Sequence, residues 1–143
     1  MNDIDIDKLT SLFFETGQMI REKVFLRGDM DPFSMAKIEA MKFIRRKEKP
    51  TMKKIANYFH IKPPSATSLV NDLKSAGYIK KMEDSKDRRK TRIQITSKGL
   101  DELNKRMKTI KSKMKKILSK LNEEEKNNFA KALKKILQKT KND

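Results

Sequence analysis

Five basic residues crowd one short stretch of the chain, Lys86, Arg88, Arg89, Lys90 and Arg92. Their chemistry is charge pairing with phosphate and, for an arginine, entry into a duplex minor groove, whose negative potential deepens over A·T-rich sequence. Upstream, Ser65, Ser68, Asn71 and Asp72 share one face at helical spacing, with Thr67 and Lys74 at its flanks. Short hydroxyl and amide groups of this kind donate to and accept from base edges in a major groove. A solubilising loop tip is the plainer reading of the cations, but five of them together favour nucleic acid.

Other chemistry has little to stand on. Cysteine is absent, which removes disulfides, thiolate metal sites and cysteine redox switches. His60 is the single histidine, so a zinc site would rest on carboxylates and a histidine-dependent triad has one candidate; beside a turn, His60 is assigned no role. No glycine-rich phosphate loop, nucleophile elbow or two-histidine metal motif occurs. The expectation is therefore no enzyme, no metal and no cofactor. Lys and Arg number 36 against 19 Asp and Glu, a net charge of +17, which calls for a polyanionic partner. Asp3, Asp5 and Asp7 crowd the N-terminus, leaving the basic excess to the middle and C-terminal half. No apolar run approaches the roughly 20 residues that span a bilayer, so the expectation is a cytoplasmic protein without a membrane partner.

The elements that must position these groups follow from periodicity and punctuation. Ile6, Leu9, Phe13, Ile20 and Val24, widened by Leu12 and Phe14, predict a helix from about Asp5 to Arg27. Gly28 ends it, and Asp31-Pro32 opens a second helix to about Arg46 with Phe33, Ala36, Ile38, Ala40, Met41, Phe43 and Ile44 buried. Thr51 caps a short helix carrying Met52, Ile55, Ala56 and Phe59. After the turn His60-Ile61-Lys62, Pro63-Pro64 can only open a helix, which runs to Gly77 on a stripe of Ala66, Leu69, Val70 and Leu73. Tyr78 to Glu83 and Arg92 to Thr96 read as strands joined by the charged tip. From Thr96 a long helix runs to about Lys120 on Leu100, Leu103, Met107, Ile110, Met114, Ile117 and Leu121, a heptad seam. Such a seam packs on another helix, in the same chain or in a partner, because leaving it wet forgoes about 1.5 to 3 kcal/mol per side chain. Asn122 and Glu125 form a capping box for a last helix with Phe129, Ala132, Leu133, Ile136 and Leu137 inward. The Lys residues from 105 to 120 are either a solvated helix face or phosphate contacts, and the sequence leaves both open.

Two short helices, a tight turn and an immediate basic hairpin make a winged helix-turn-helix. The fold class expected is mainly α with a small β-hairpin wing. At this point the chain resembles the MarR family over nearly its full length. The resemblance is carried by Ile55-Ala56 and Ile61, by Ser65-Ala-Thr-Ser-Leu-Val-Asn-Asp-Leu73, and by Gly77-Tyr-Ile79. Asp84-Ser-Lys-Asp-Arg-Arg89 and Ile95-Thr-Ser-Lys-Gly99 complete it. Most distinctive is the Asp-x-Arg of Asp87 to Arg89 followed by the Thr-x-x-Gly of Thr96 to Gly99. The resemblance implies a single domain over 1–143, with a homodimer held by its N- and C-terminal dimerisation helices (5–30 and 97–143) and a DNA-binding region at 33–96. It implies a transcriptional regulator, a repressor, on a pseudo-palindromic double-stranded DNA site. Arg89 is then the groove-inserted side chain and Asp87 its orienting partner, while Pro64, Ser65 and Ser68 fall where family members touch bases or phosphates.

The expected DNA-binding set is Lys53, Lys62, Pro64, Ser65, Thr67, Ser68, Asn71, Lys86, Asp87, Arg88, Arg89 and Lys90. The expected dimerisation set is Leu9, Phe13, Ile110, Met114, Ile117, Phe129, Leu133 and Ile136. Ser68 departs from the family pattern, since many members carry an arginine there. Many members also release DNA on binding a small aromatic or anionic ligand in a cleft; Phe13, Phe14, Met41 and Phe43 are either its lining or core. An architectural protein that coats DNA with little sequence preference is the alternative, separated by the ratio of specific to non-specific affinity.

Overall fold

The computed structural model describes residues 4–26 and 34–141. Gly28, Asp31, Pro32 and Phe33, assigned above to the end of one helix and the start of the next, lie outside the described residues. The Asp5 carboxylate accepts the Lys8 backbone N–H at 2.7 Å and caps α1 (Ile6–Ile20). A single α-helix was expected to about Arg27, but the chain widens into a π-helical run, Arg21–Leu26. A π turn rotates the residues that follow it relative to the preceding α-helical stripe. Val24 is completely buried there, whereas α1 itself buries nothing.

The core is built where α2 (Ser34–Lys47), α3 (Met52–Phe59), α4 (Pro63–Ser75) and the first half of α5 (Ser97–Leu118) close on a two-stranded sheet. Ile38, Met41 and Ile44 of α2 meet Ile55, Val70, Leu73, Ile79, Ile93 and Leu103. Each side chain of this size stabilises the fold by about 1.5 to 3 kcal/mol through burial. Ala36, expected in the core, is exposed, because the buried stripe of α2 follows the 38, 41, 44 row. Past α2, Glu48 and Lys49 take left-handed φ values of 48° and 57°. The Pro50 carbonyl then accepts the Ile93 N–H at 2.9 Å, and Thr51 forms a bridge with Arg92. The start of α3 is thereby fastened to the hairpin.

The strands β1 (Ile79–Glu83) and β2 (Thr91–Ile95) pair antiparallel, Ile79 opposite Ile95 and Glu83 opposite Thr91. Gly77, at φ 79°, follows the last turn of α4 in the left-handed conformation that suits glycine. The Thr-x-x-Gly piece has a steric cause. The Thr96 hydroxyl donates to the Gly77 carbonyl at 2.6 Å and accepts the Gly99 N–H at 3.0 Å. A Cβ on Gly99 would stand 2.0 Å from the Tyr78 carbonyl oxygen, so only glycine lets α5 start this close to the hairpin.

Along α5, Leu103 is fully buried while Met107 and Ile110 pack partly on the core. Ile110, expected to serve a dimer, is thus at least half used within its own chain. Leu100, the first residue of the seam, is 37% exposed. The last helix, α6 (Glu123–Thr140), begins at the anticipated capping box: Asn122 accepts the Glu125 N–H at 2.9 Å and Glu125 accepts the Asn122 N–H at 2.8 Å. Its stripe was expected to point inward. It does not within one chain, where Phe129, Leu133, Ile136 and Leu137 are all exposed and α6 buries no residue.

Candidate nucleic-acid interface

The first half of the site is the α3–turn–α4 unit. Thr51 caps α3 by accepting the Lys54 N–H at 3.3 Å. His60 closes it at a left-handed φ of 52°, with the Ile61 N–H donating to the Ala56 carbonyl at 3.0 Å. His60, assigned no role above, thus sits in the left-handed residue of the turn with its side chain exposed. Lys62 stands at the N-cap of α4 without a side-chain cap bond, and Pro63 and Pro64 fill the first two helical positions. Neither proline has an N–H to offer, and the Ser65 and Ala66 N–H groups already donate to the Lys62 carbonyl. The anion-holding power that a helix N-terminus usually has is thus mostly lost here, and phosphate contact near this terminus falls to side chains.

Behind those prolines, Ala66, Val70 and Leu73 are buried and Leu69 is half-buried. That anchors α4 so that Ser65, Thr67, Ser68 and Asn71 are all exposed, with Lys62 and Pro64 at its leading end. Asn71 is not idle: its Oδ1 accepts Lys81 Nζ at 2.6 Å. This bond ties the exposed face of α4 to β1 and orients the Asn71 amide, whose Nδ2 is left to donate.

The second half is the hairpin tip, and its organiser is a residue that sequence reasoning passed over. Asp84 Oδ1 accepts the backbone N–H groups of Lys86, at 2.8 Å, and Asp87, at 3.1 Å, while Oδ2 accepts Arg92 Nε at 2.5 Å. The Lys86 N–H, then Arg92, then the Asp87 N–H hold its carboxyl down to about 2. Arg92 also donates to the Lys49 carbonyl at 3.2 Å. Arg92 was counted among the cations that could reach a groove; instead it is a brace between the wing and the end of α2. Nothing in composition separates Arg92 from Arg88 or Arg89, and only the strand register, which sets it beside Met82, reveals the pairing.

Arg89 is held differently. Asp87 accepts its Nε at 3.1 Å, its Nη2 at 3.3 Å and its backbone N–H at 3.0 Å. The Arg89 side chain is nonetheless 91% exposed, with its direction set and its surface open. The same three bonds, the guanidinium first, lower the Asp87 carboxyl from its ordinary value. Arg88 and Lys90 are exposed beside it.

The structure brings Lys53 together with Arg89 and Lys90, along one open groove between the first turn of α3 and the wing, which Lys54 and Asn57 also line. Lys86 does not join them; it lines a separate hollow with Glu48, Lys49 and Asp84. Lys54 and Asn57 were missed. A signal existed for Lys54, since two lysines in the first turn of a helix oppose the macrodipole and so are not there for helix stability.

Of the residues read as either cleft lining or core, Met41 and Phe43 are core, 1% and 4% exposed, with Phe43 stacked on Tyr58 at 4.2 Å. Phe13 and Phe14 line an open hollow along α1 with Gly17, Gln18, Arg21 and Glu22. Leu9, Phe13, Phe129, Leu133 and Ile136 are exposed, and Met114 and Ile117 half-buried. Among the described residues no three acidic or histidine side chains are placed to hold a metal, and no helix is long and apolar enough to cross a membrane.

Residues 33–91 match the model of the MarR family. No curated protein matches the chain in sequence. Among solved structures, a MarR family protein from Bacillus stearothermophilus superposes with a TM-score of 0.81 at 17% identity, covering 99% of both chains. The YusO protein from Bacillus subtilis gives 0.75 at 22% identity over 94% of this chain and 99% of its own. FabT from Streptococcus pneumoniae, solved in complex with DNA, gives 0.71 at 20% identity over 96% of each. The mainly helical winged helix-turn-helix expected from the sequence is the fold of these proteins.

Proposed function

We propose, from the match of residues 33–91 to the MarR family model, that the chain is a sequence-specific, double-stranded DNA-binding transcriptional regulator, a repressor, acting in the cytoplasm as a homodimer. One observation carries the reading: an exposed polar face on a rigidly anchored helix lies beside a wing whose arginine is pre-aimed and 91% exposed. Ser65, Ser68 and Asn71 read base edges, with Pro64 and Thr67 in van der Waals or phosphate contact. Arg89 enters the flanking minor groove with Asp87 setting its direction. Lys53, Lys62, Lys86, Arg88 and Lys90 supply sequence-independent phosphate attraction. The likeness to a protein held on DNA at 96% coverage supports this reading.

The dimer rests on a separate argument. Soluble proteins rarely leave an apolar stripe open along a whole helix, and here α1 and α6 both do. We assign 5–30 and 97–143 to dimerisation and 33–96 to DNA binding, with a second copy of the chain covering Leu9, Phe13, Phe129, Leu133 and Ile136, and in part Ile110, Met114 and Ile117. Release by a small aromatic or anionic ligand belongs to the same proposal.

Selection of bound sites from random duplexes tests it. The expected product is a pseudo-palindrome bound about a thousandfold or more tighter than unrelated duplex. A flat preference would instead favour an architectural DNA-coating protein, the reading to which the net charge of +17 and the short Ser68 side chain lean.

A further inference from the structure

Nearly half of the chain's net charge of +17 sits in one segment away from α4 and the wing. Between Leu103 and Asn122 there are eight Lys or Arg residues and no acid. Lys105, Lys108, Lys111 and Lys115 follow one another at three- and four-residue spacing, as do Lys113, Lys116 and Lys120. Like charges so spaced weaken a helix, and a helix that needed only solubility would interleave acids. Arg106 is neutralised by Glu102 at 2.6 Å, and Lys113 reaches the Val24 carbonyl at 3.4 Å.

Four other cations converge. Arg45, from the last turn of α2, shares an open groove with Lys108, Lys111 and Lys115, which Asn104, Met107 and Ser112 also line. No hydrogen bond or ion pair engages those four side chains among the described residues, and no acid lines the groove. The other sides of α2 pack on α3 and β2, so α2 stands between this groove and the face formed by α3, α4 and the wing. From Lys108 to Lys115 the helix rises about 10 Å at 1.5 Å per residue, about the axial length that three successive phosphates of one strand occupy at 3.4 Å each.

We propose that this α2–α5 groove is a second nucleic-acid site, which takes the phosphate backbone of a second duplex while the α4 and wing face holds the first. It makes the protein a bridge between two DNA segments. The occupant is a duplex because Lys108, Lys111 and Lys115 form a linear, uniformly cationic row with Arg45 in the same groove, no aromatic side chain lines the groove, and Asn104 and Ser112 are its only uncharged polar groups. This inference rests on the DNA-binding reading above, and the experiment separates the two.

An immobilised duplex carrying the selected site is saturated with protein, washed, and exposed to a labelled duplex of unrelated sequence. Capture by the wild type is compared with Lys108→Ala/Lys111→Ala/Lys115→Ala, where alanine favours the helix. The comparison variant, Lys134→Ala/Lys135→Ala/Lys139→Ala, removes equal charge from α6. The groove variant should hold the first duplex within about twofold of wild type yet lose at least about tenfold in capture. Its slope of log affinity for the second duplex against log salt should drop by about 2.7, three contacts at 0.9 each. The α6 variant should capture normally. Undiminished capture by the groove variant, equal loss in the α6 variant, no capture by the wild type, or groove-dependent uptake of phosphatidylserine vesicles in place of duplex would each overturn the proposal. A wild type that cannot hold the first duplex would overturn the underlying reading, a separate and recognisable result.

Discussion

Replacing Asp87 by alanine should weaken specific DNA binding even though it removes a negative charge from a DNA-binding surface. The two effects oppose each other, so magnitudes decide. Asp87 holds Arg89 by two guanidinium bonds of 3.1 and 3.3 Å. The pair lies at the surface, its arginine side chain 91% and its aspartate 30% exposed, so it adds little to folding. Its value lies in binding, because freezing a free arginine costs about 0.5 to 1.5 kcal/mol. Against this, deleting a carboxylate about 7 Å from a phosphate relieves about 0.6 kcal/mol at the dielectric constant of water, and less as salt screens it. At about 0.15 M salt, therefore, Asp87→Ala should weaken specific binding by about 0.5 to 1 kcal/mol, and the loss should shrink or vanish at low salt. Arg89→Ala should cost about 1 to 3 kcal/mol. On the Arg89→Ala background, Asp87→Ala should lose its penalty, a coupling of at least about 0.5 kcal/mol in a double-mutant cycle read by fluorescence anisotropy. Tighter binding by Asp87→Ala at physiological salt, or additive losses in the double variant, would refute the idea that Asp87 pre-aims the arginine.

Asp84→Ala should disorder the tip, since three bonds converge on that carboxylate; faster exchange of the Lys86 and Asp87 amides by NMR checks it. The pH dependence has a definite sign: a carboxyl depressed from 3.8 to about 2 contributes fully above pH about 4 and loses its contribution as pH falls through about 2. Tip amides of the wild type should therefore stay protected above about pH 4 and lose protection progressively between about pH 4 and about pH 2. Gly99→Ala puts a Cβ 2.0 Å from the Tyr78 carbonyl oxygen and should destabilise the fold by about 1 to 3 kcal/mol or more, seen as a lowered Tm. Leu133→Asp with Ile136→Asp touches side chains 38% and 59% exposed in one chain; it should turn a dimer into a monomer in light scattering while leaving helical content intact in circular dichroism.

The parts most readable in the sequence are those where one residue type has one physical use. Pro63-Pro64 can only start a helix, Thr51 and Thr96 accept the N–H groups their positions predict, and the 66, 70, 73 spacing turns Ala66, Val70 and Leu73 inward. The Asp5 and Asn122 caps work for the same reason. What stayed hidden depends on partners distant in sequence. Asp84 and Arg92 look like any two charges in a polar tip until β1 and β2 are in register. Periodicity marks the α6 stripe as one to be covered without saying by what, and the same periodicity overcounted Ala36. The π turn at Arg21–Leu26 has no composition signal, because its gain is the burial of Val24 against a helix almost 90 residues on. Both prolines announced the start of α4 and also removed two of the N–H groups by which a helix terminus usually holds phosphate.

Two copies of α4 about one helical turn apart should read the two halves of one site symmetrically, and half-site spacing checks this. Specific affinity should be measured on the selected site and on versions with about 5 and about 10 base pairs inserted between its halves, half a turn and a full turn. Loss of nearly all specificity with the half-turn insertion is the predicted result, since it rotates one half-site to the far side of the duplex. Equal affinity for every spacing would contradict it.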